Sequence, residues 1–597
     1  MKNMYIIDFE PIGLRIPCMK GDTVFNAAGK AGIPIISYCG GKMICGRCKI
    51  RIINGNVSAI STNEKNLLSE EEIANNYRLA CTMRVLSDLK VEIPPESLET
   101  IQQLQLLGKE PQLSLDPVIT KYKIKLQESS LENPLADWEN LQKFLKDKYG
   151  FKNLRPDITL LQNLSSNLRN KNGEYSAIIR DDEVIGITKS AEDFHGISID
   201  IGTTKLAVYL VEIHSGQTIA IKGAMNPQIA YGEDVMSRIS YAMENGVDQL
   251  RNCLLNTLNQ LIQELTGNPE KVVDVTIVGN TAMHHLFIGL PVIQLGRAPY
   301  SPVVVQSLDV KARELGLNVA QGAYIHLLPN VAGFIGADHV AMLLATEIYK
   351  TSKNTIGIDI GTNTEVALSV NGDIASLSCA SGPAFEGAGI KHGMRASNGA
   401  IEEVNIKNNK IDFKVIGDIP PTGICGSGIL DAISQLRQQK IIDQRGRLQD
   451  HDLVSKKKSG REFILASKKN SEIEKDIVVT QHDINEIQLA KAAICAGINI
   501  LLQEYGINEE EIEKVVIAGA FGTRINVENA IKIGLFPSIP LNRFTQVGNA
   551  AGVGAKLALI SKEYRSIAGD IASRVRYVEL TTHPKFTREF SHALQFP

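Results

Sequence analysis

The chain opens on MYIIDFEPIGLRI, in which apolar and polar residues alternate as a strand with one solvated face requires. Residues 1–97 continue as short strand-like runs broken by turns. They end at Pro94-Pro95, whose fixed backbone angles and missing donors mark a domain boundary. Residues 98–118, rich in Gln and Leu and closing on prolines, read as a semi-ordered linker on which the first domain can move. Between 119 and 190 the helical pattern ADWENLQKFLKDKYG lies beside the strand patterns of YSAIIRDDEVIGITK. This predicts a small α+β domain with Trp138 in its core.

Beyond residue 190 the pattern repeats. ISIDIGT (Ile197 to Thr203) returns as IGIDIGT (Ile356 to Thr362), differing only at Ser198 against Gly357. In the same order, VTIVGNTA (275–282) pairs with VVIAGAFG (515–522), and NVAGFIGA (330–337) with NAAGVGA (549–555). Three ordered correspondences imply two duplicated α/β halves, 191–350 and 351–597, enclosing a cleft. The fold class is α/β multidomain.

A length of 597 residues requires several cores, and 44% hydrophobic with 22% charged residues fits folded domains. The formal charge of -3 supplies no field for phosphate backbones or anionic lipid, so no nucleic-acid partner is expected. No run approaches the roughly 18 uninterrupted apolar residues of a membrane span, and the opening strand pattern is unlike a signal peptide. A soluble, cytoplasmic protein is the expectation. Nine cysteines, four of them within the first 81 residues, suit a reducing compartment and a metal better than disulfides.

Those four are Cys39, Cys45 and Cys48 in YCGGKMICGRC, and Cys81 in RLACTMRV. Plant-type iron-sulfur clusters use a C-x4-C-x2-C loop and a distant fourth cysteine. The first gap here is one residue longer. Gly40, Gly41 and Gly46 allow the loop to bend tightly and turn N–H groups towards the sulfurs. A structural zinc site is the alternative, but it usually shows two C-x2-C knuckles and only one is present. The pattern favours a 2Fe-2S cluster. Cys18, Cys253, Cys379, Cys425 and Cys495 lack ligand spacing and read as small buried hydrophobes.

Each DIGT segment places an Asp at a strand end, then a Gly-Thr turn, then a second strand. Gly202 and Gly361 admit close backbone approach, and the turn N–H groups with the Thr203, Thr204 and Thr362 hydroxyls can bond phosphate oxygens. Lys205 and Asn363 complete the two turns, and Asp200 and Asp359 can hold hydrated Mg2+. One DxGT is weak evidence, whereas two on facing halves can grip a triphosphate from both sides. No GxxxxGK[ST] or GxGxxG segment is present, which sets P-loop and Rossmann folds aside. Gly519, Ala520 and Phe521 follow a buried strand and could receive adenine and ribose. The glycine-rich runs SGPAFEGAGI (381–390) and TGICGSGIL (422–430) could line the same cleft. Glu386 is a candidate to orient the attacking water, with a solvated loop glutamate as the alternative. His284 and His285 have no partner at metal spacing and read as core or surface residues.

Taken in order, the four cysteines, the DIGTT and DIGTN hairpins, SGPAFEG, TGICGSGILDA, AGAFGTRIN and the closing ELTTHPKFTREFSHALQFP resemble the ATP-dependent reductive activators of corrinoid proteins over the full chain. The resemblance implies a β-grasp, ferredoxin-like 2Fe-2S domain fused to a duplicated actin-like (ribonuclease H-like) ATPase core. It further implies single-electron transfer to a cobalt(II) corrinoid protein, an upstream low-potential electron donor and a homodimer. Three other classes stay open on the residues alone: an ATP-dependent electron donor for another low-potential enzyme, a non-enzymatic corrinoid-protein binding module with an ATP switch, and a sugar or acetate kinase carrying a redox sensor.

Overall fold

A computed structural model describes residues 4–10, 14–30, 35, 41, 43–44, 46–94, 114–127, 129–132, 134–169, 174–189, 193–457, 460–519 and 521–597. Cys39, Cys45, Ala520 and most of the expected linker lie outside the described residues. The first module comprises β1 (Met4–Glu10), β2 (Leu14–Met19), α1 (Val24–Lys30), β3 (Lys49–Asn54), α2 (Thr62–Leu67), α3 (Glu70–Ala74), β4 (Tyr77–Leu79) and β5 (Leu89–Glu92). Its sheet runs β2-β1-β5-β3-β4, with β1 parallel to β5 at the centre, over a core of its own that includes Phe9, Ile50, Leu79 and Val91. Among the described residues no strand of another module joins this sheet.

The middle region contains β6 (Ile119–Ile124), α4 (Asp137–Tyr149), β7 (Arg155–Pro156), α5 (Ile158–Arg169), β8 (Tyr175–Arg180) and β9 (Glu183–Lys189). Its sheet is ordered β6-β8-β9-β7. The amphipathic helices bury Leu141, Leu145, Leu160 and Leu164 against it, and Trp138 packs half-buried on that core.

The first half of the repeat comprises β10 (His195–Ile201), β11 (Lys205–Glu212), β12 (Thr218–Met225), α6 (Val235–Asn245), α7 (Asp248–Thr266), β13 (Val272–Gly279), α8 (Thr281–Ile288), β14 (Leu308–Lys311), α9 (Ala312–Leu315), β15 (Tyr324–Leu327) and α10 (Ala337–Thr346). The second half begins with β16 (Thr355–Ile360), β17 (Thr364–Val370) and β18 (Asp373–Cys379). An insertion follows: β19 (Ala400–Lys407), β20 (Lys410–Val415), β21 (Gly423–Ile424), α11 (Gly426–Gln438), β22 (Val454–Lys457), β23 (Gly460–Ala466), β24 (Ile477–Thr480) and α12 (Gln481–Tyr505). It resumes with β25 (Lys514–Ala518), α13 (Val527–Lys532), β26 (Phe544–Gly548), α14 (Ala550–Ile560), α15 (Lys562–Arg574), β27 (Arg576–Tyr577) and α16 (Phe586–Ala593).

The two large sheets run β12-β11-β10-β13-β15-β14 and β26-β25-β16-β17-β18-β27. In each, a three-strand antiparallel meander is extended from its first strand by two strands in parallel. Five strands of each sheet therefore fall in the same order, β12-β11-β10-β13-β15 and β18-β17-β16-β25-β26, which is the duplication read from the repeated motifs. All eight residues of β13 are buried, which explains its near-continuous Val/Ile run. The third repeated motif opens α10 in one half and α14 in the other, and these equivalent helices pack on each other between the sheets. A Cβ on Gly554 would stand 2.1 Å from the Ala341 carbonyl oxygen, so only glycine permits that crossing. Among the described residues no helix is long and apolar enough to cross a membrane.

Candidate functional site

The antiparallel pairing of β10 with β11, and of β16 with β17, makes each DIGT segment a hairpin whose Asp ends one strand. The hairpins face each other so closely that the Thr204 and Thr362 hydroxyl oxygens are 3.1 Å apart. Between them lies a cavity of about 220 Å³ lined by Gly202, Thr203, Thr204 and Lys205 from one half and Gly361, Thr362 and Asn363 from the other. Asp200, Asp359, Glu386, Gly519 and Phe521 line it too, so every nucleotide-site candidate within the described residues converges on one space. Asn280 Nδ2 donates to Thr203 Oγ1 at 2.9 Å, and the buried Arg238 guanidinium donates to the Thr203 carbonyl at 2.5 Å, which fixes the first turn. Thr362 Oγ1 donates to Glu386 Oε1 at 2.8 Å, so this glutamate is held in the cleft and is not a solvated loop residue. The Phe385 and Phe521 rings stack with centroids 5.1 Å apart beside Gly426 and Gly519.

Two acids that motif reading missed, Asp338 and Glu365, line the same cavity. Burial, followed by the charges of Asp200 and Asp359, pushes the Asp338 carboxyl well above the ordinary range. Burial and then Asp200 raise Asp359 to about 7. Asp200 rises to about 6 through burial, partly relieved by Asn549 Nδ2 donating to Oδ2 at 2.9 Å. Glu365 is likewise raised by burial and by Asp338 and Asp359, although the Ser378 hydroxyl donates to it. Four carboxyl groups left to repel one another in a partly enclosed space fit a site for a cation. Among the described residues no three His, Cys, Asp or Glu side chains form a ready-made metal cage. Mg2+ keeps much of its water and takes one or two carboxylates together with phosphate oxygens. Of the two missed acids, Asp338 has a positional marker in that it directly follows one copy of the third repeat, although nothing in that motif singles out an acid.

At the cluster module, the Ala80 N–H donates to the Cys48 carbonyl at 2.8 Å and sets the two cysteine-bearing segments side by side. Cys48 and Cys81 Sγ lie 3.3 Å apart, both buried. This is far beyond the roughly 2.05 Å of a disulfide, and it aims two thiols at one point as a metal site needs. Gly41 and Gly46 have φ of +83° and +67°, conformations that favour glycine in the loop. Behind it Glu64 accepts from Arg78 Nε and Nη2, both at 2.9 Å, and from the Leu79 N–H at 3.1 Å. Burial alone would raise this carboxyl, but those donors hold it down at about 2. Cys18, Cys379 and Cys425 are buried and Cys253 and Cys495 half-buried, as expected of core residues. His284 and His285 are buried in α8, and burial lowers them to about 3 and about 4, so both are neutral core imidazoles.

A thiolate-bearing ferredoxin-like module joined to two facing phosphate-type hairpins defines an iron-sulfur protein built on a nucleotide-using actin-like core. Family profiles match over almost the whole chain: a 2Fe-2S iron-sulfur cluster binding domain at 7–86, the RACo linker region at 108–193, the RACo middle region at 195–351, and the C-terminal ASKHA domain of RACo at 353–597. The chain belongs to the RACo family of corrinoid reductive activators. It is 33% identical over 592 residues to the corrinoid activation enzyme RamQ of Eubacterium limosum, covering 95% of each chain. It is 25% identical over 412 residues to the [Co(II) methylated amine-specific corrinoid protein] reductase of Methanosarcina barkeri, covering 64% of this chain and 73% of that one. The solved structure of a reductive activator for corrinoid, iron-sulfur protein superposes with a TM-score of 0.73 at 34% identity, covering 99% of this chain and 98% of that one.

Proposed function

We propose that this protein uses ATP to drive single electrons from a 2Fe-2S cluster onto the cobalt(II) of a corrinoid protein, regenerating cobalt(I). The observation that carries the reading is the pair of facing DIGT hairpins enclosing five carboxyl groups, in one chain with a module that brings the Cys48 and Cys81 thiols within 3.3 Å. Cys39, Cys45, Cys48 and Cys81 hold the cluster, which when bound supplies one electron at a time. The turns at Gly202 to Lys205 and Gly361 to Asn363 take the phosphates, and Asp200 and Asp359 hold hydrated Mg2+. The metal's charge offsets the burial that raises both acids in its absence and the repulsion by Asp200 that adds to it at Asp359. Asp338 receives the proton of the attacking water, while Glu386 orients that water from its place beside Thr362. Gly519, Ala520 and Phe521 receive adenine and ribose.

An energy input is intelligible because an uphill gap of about 120 mV would leave only about one per cent of the acceptor reduced at equilibrium. A soluble cytoplasmic homodimer supplied by a low-potential donor is the setting that fits. The test is anaerobic: reduced protein is mixed with a cobalt(II) corrinoid protein and the cobalt(I) absorption band is followed. Cobalt(I) should appear with ATP, and neither without it nor with a non-hydrolysable analogue. Asp359→Asn should cut hydrolysis by about 100-fold or more. ATP hydrolysis with no cobalt(I) from any of several corrinoid partners would refute the acceptor. A protein that assembles no 2Fe-2S spectrum would refute the donor.

A further inference from the structure

The cluster loop touches the ATPase core at a defined point. Arg47, between Gly46 and the ligand Cys48, donates through Nη2 to the Ile390 carbonyl at 2.8 Å and to the Lys391 carbonyl at 3.4 Å. Those carbonyls belong to a built seat. Ile390 is buried in the main core of the second half. The Lys391 N–H donates to Asp483 Oδ1 at 2.7 Å, its ammonium pairs with Glu462 at 2.5 Å, and the Ile424 N–H donates to the His392 carbonyl at 2.8 Å.

The same loop begins at the nucleotide site. Its single helical turn, Pro383–Glu386, carries Phe385 on the cavity wall and Glu386 on the Thr362 hydroxyl. Only Gly387, Ala388 and Gly389 separate that turn from Ile390. Gly387 and Gly389 sit at φ of +87° and +77°, and a Cβ on Gly393 would stand 2.0 Å from the Gly387 oxygen, so little slack remains to absorb a shift. A phosphate at the second hairpin competes with Glu386 for the Thr362 hydroxyl, and its charge repels the carboxylate.

We propose that Arg47 is a positioning residue that seats the cluster module on the ATPase core, and that nucleotide releases it through the 383–391 loop. This deepens the reading above and rests on the nucleotide site assigned there. With the cleft empty, Glu386 bonds Thr362 and the Ile390 carbonyl holds Arg47. Nucleotide displaces Glu386, the packed turn shifts, and the Ile390 carbonyl leaves the guanidinium. The module, no longer seated on the core, is then free to meet the acceptor. Linkage makes the effect reciprocal: because nucleotide weakens the Arg47 contact, the contact weakens nucleotide binding by the same factor, and its loss tightens that binding.

The test uses holoprotein with its cluster intact, a non-hydrolysable ATP analogue, and two readouts. Calorimetric titration of wild type, Arg47→Lys and Arg47→Ala should show the alanine variant binding the analogue about 5-fold tighter than wild type, within the usual range of such couplings. Hydrogen exchange at residues 46–54 and 387–394 should speed up with analogue in wild type and be equally fast with and without it in Arg47→Ala. Unchanged affinity together with nucleotide-insensitive exchange in wild type, while the analogue still binds, overturns this inference and leaves the nucleotide site standing. Failure of wild type to bind the analogue at all overturns both. The wild-type exchange measurement decides the matter even if a variant fails to assemble its cluster.

Discussion

Buried carboxyls in one cavity give the molecule a pH signature that depends on what fills the cavity. Asp359, raised to about 7 by burial and Asp200, and Asp338, raised by burial and both neighbours, bind more protons in the folded than in the unfolded chain. Stability therefore falls as pH rises through that range. Buried His284 and His339, lowered to about 3, and His285 and His392, lowered to about 4, have the opposite sign. They must gain protons on unfolding below about 6.5. Without Mg2+ and nucleotide, the thermal midpoint should peak near pH 6.5 and fall on both sides. Asp338→Asn should flatten the alkaline fall and move the maximum to higher pH, because the folded Asp338 holds its extra proton from about pH 4 upward, and Mg2+ with nucleotide should do the same; scanning calorimetry from pH 5 to 8, in chelator and again with Mg2+ and nucleotide, checks all three. Of these residues, Asp200 and Asp359 were legible because a repeated motif frames them. Asp338 and Glu365 were not, because each is a single acid beside an apolar run whose role depends on what the other half of the chain places opposite it.

At the level of elements, the fold was readable wherever the duplication wrote it twice. The strands of both DIGT hairpins, the parallel strands β13 and β25, and the helices α10 and α14 all correspond to repeated segments. The β14 edge and the inserted sheets between β18 and β25 have no second copy, so although their strands pair with near neighbours in sequence, no repeat marked them as strands. The crossing of α10 and α14 is where the halves are most dependent on each other. Asn549, which caps α14, bonds Asp200 of the first half, and Asp338 lies in the first turn of α10. Gly554→Ala would push a methyl group against the Ala341 carbonyl and spread the helices, at a cost of about 1–3 kcal/mol. The expected result is a lower thermal midpoint together with weaker nucleotide binding, because the same displacement moves Asn549 and Asp338. Unchanged nucleotide affinity in a destabilised variant would separate the crossing from the site.

Across the whole molecule, the modules are attached in different ways, and that difference sets what moves. The middle region shares an apolar cluster with the first half, where Ile119, Ile178 and Ile185 meet Phe194, Ile213 and Val273. It also shares a buried charge network: Asp157 meets Lys311 Nζ at 2.8 Å and Arg313 Nη1 at 2.9 Å, while Glu183 reaches the same lysine at 3.1 Å. The ferredoxin-like module, by contrast, has its own sheet and its own core. Calorimetry of the holoprotein should therefore resolve one transition for that module and a separate, larger one in which the middle region melts with the ATPase halves. Asp157→Ala leaves Lys311 and Arg313 short of a buried counter-charge, a loss on the order of 3 kcal/mol. It should detach the middle region from the larger transition and leave the module's transition unmoved. Were the variant to lower both transitions together, the module and the core would have to be one cooperative unit, and the freedom of the cluster to reach a partner would be lost with it.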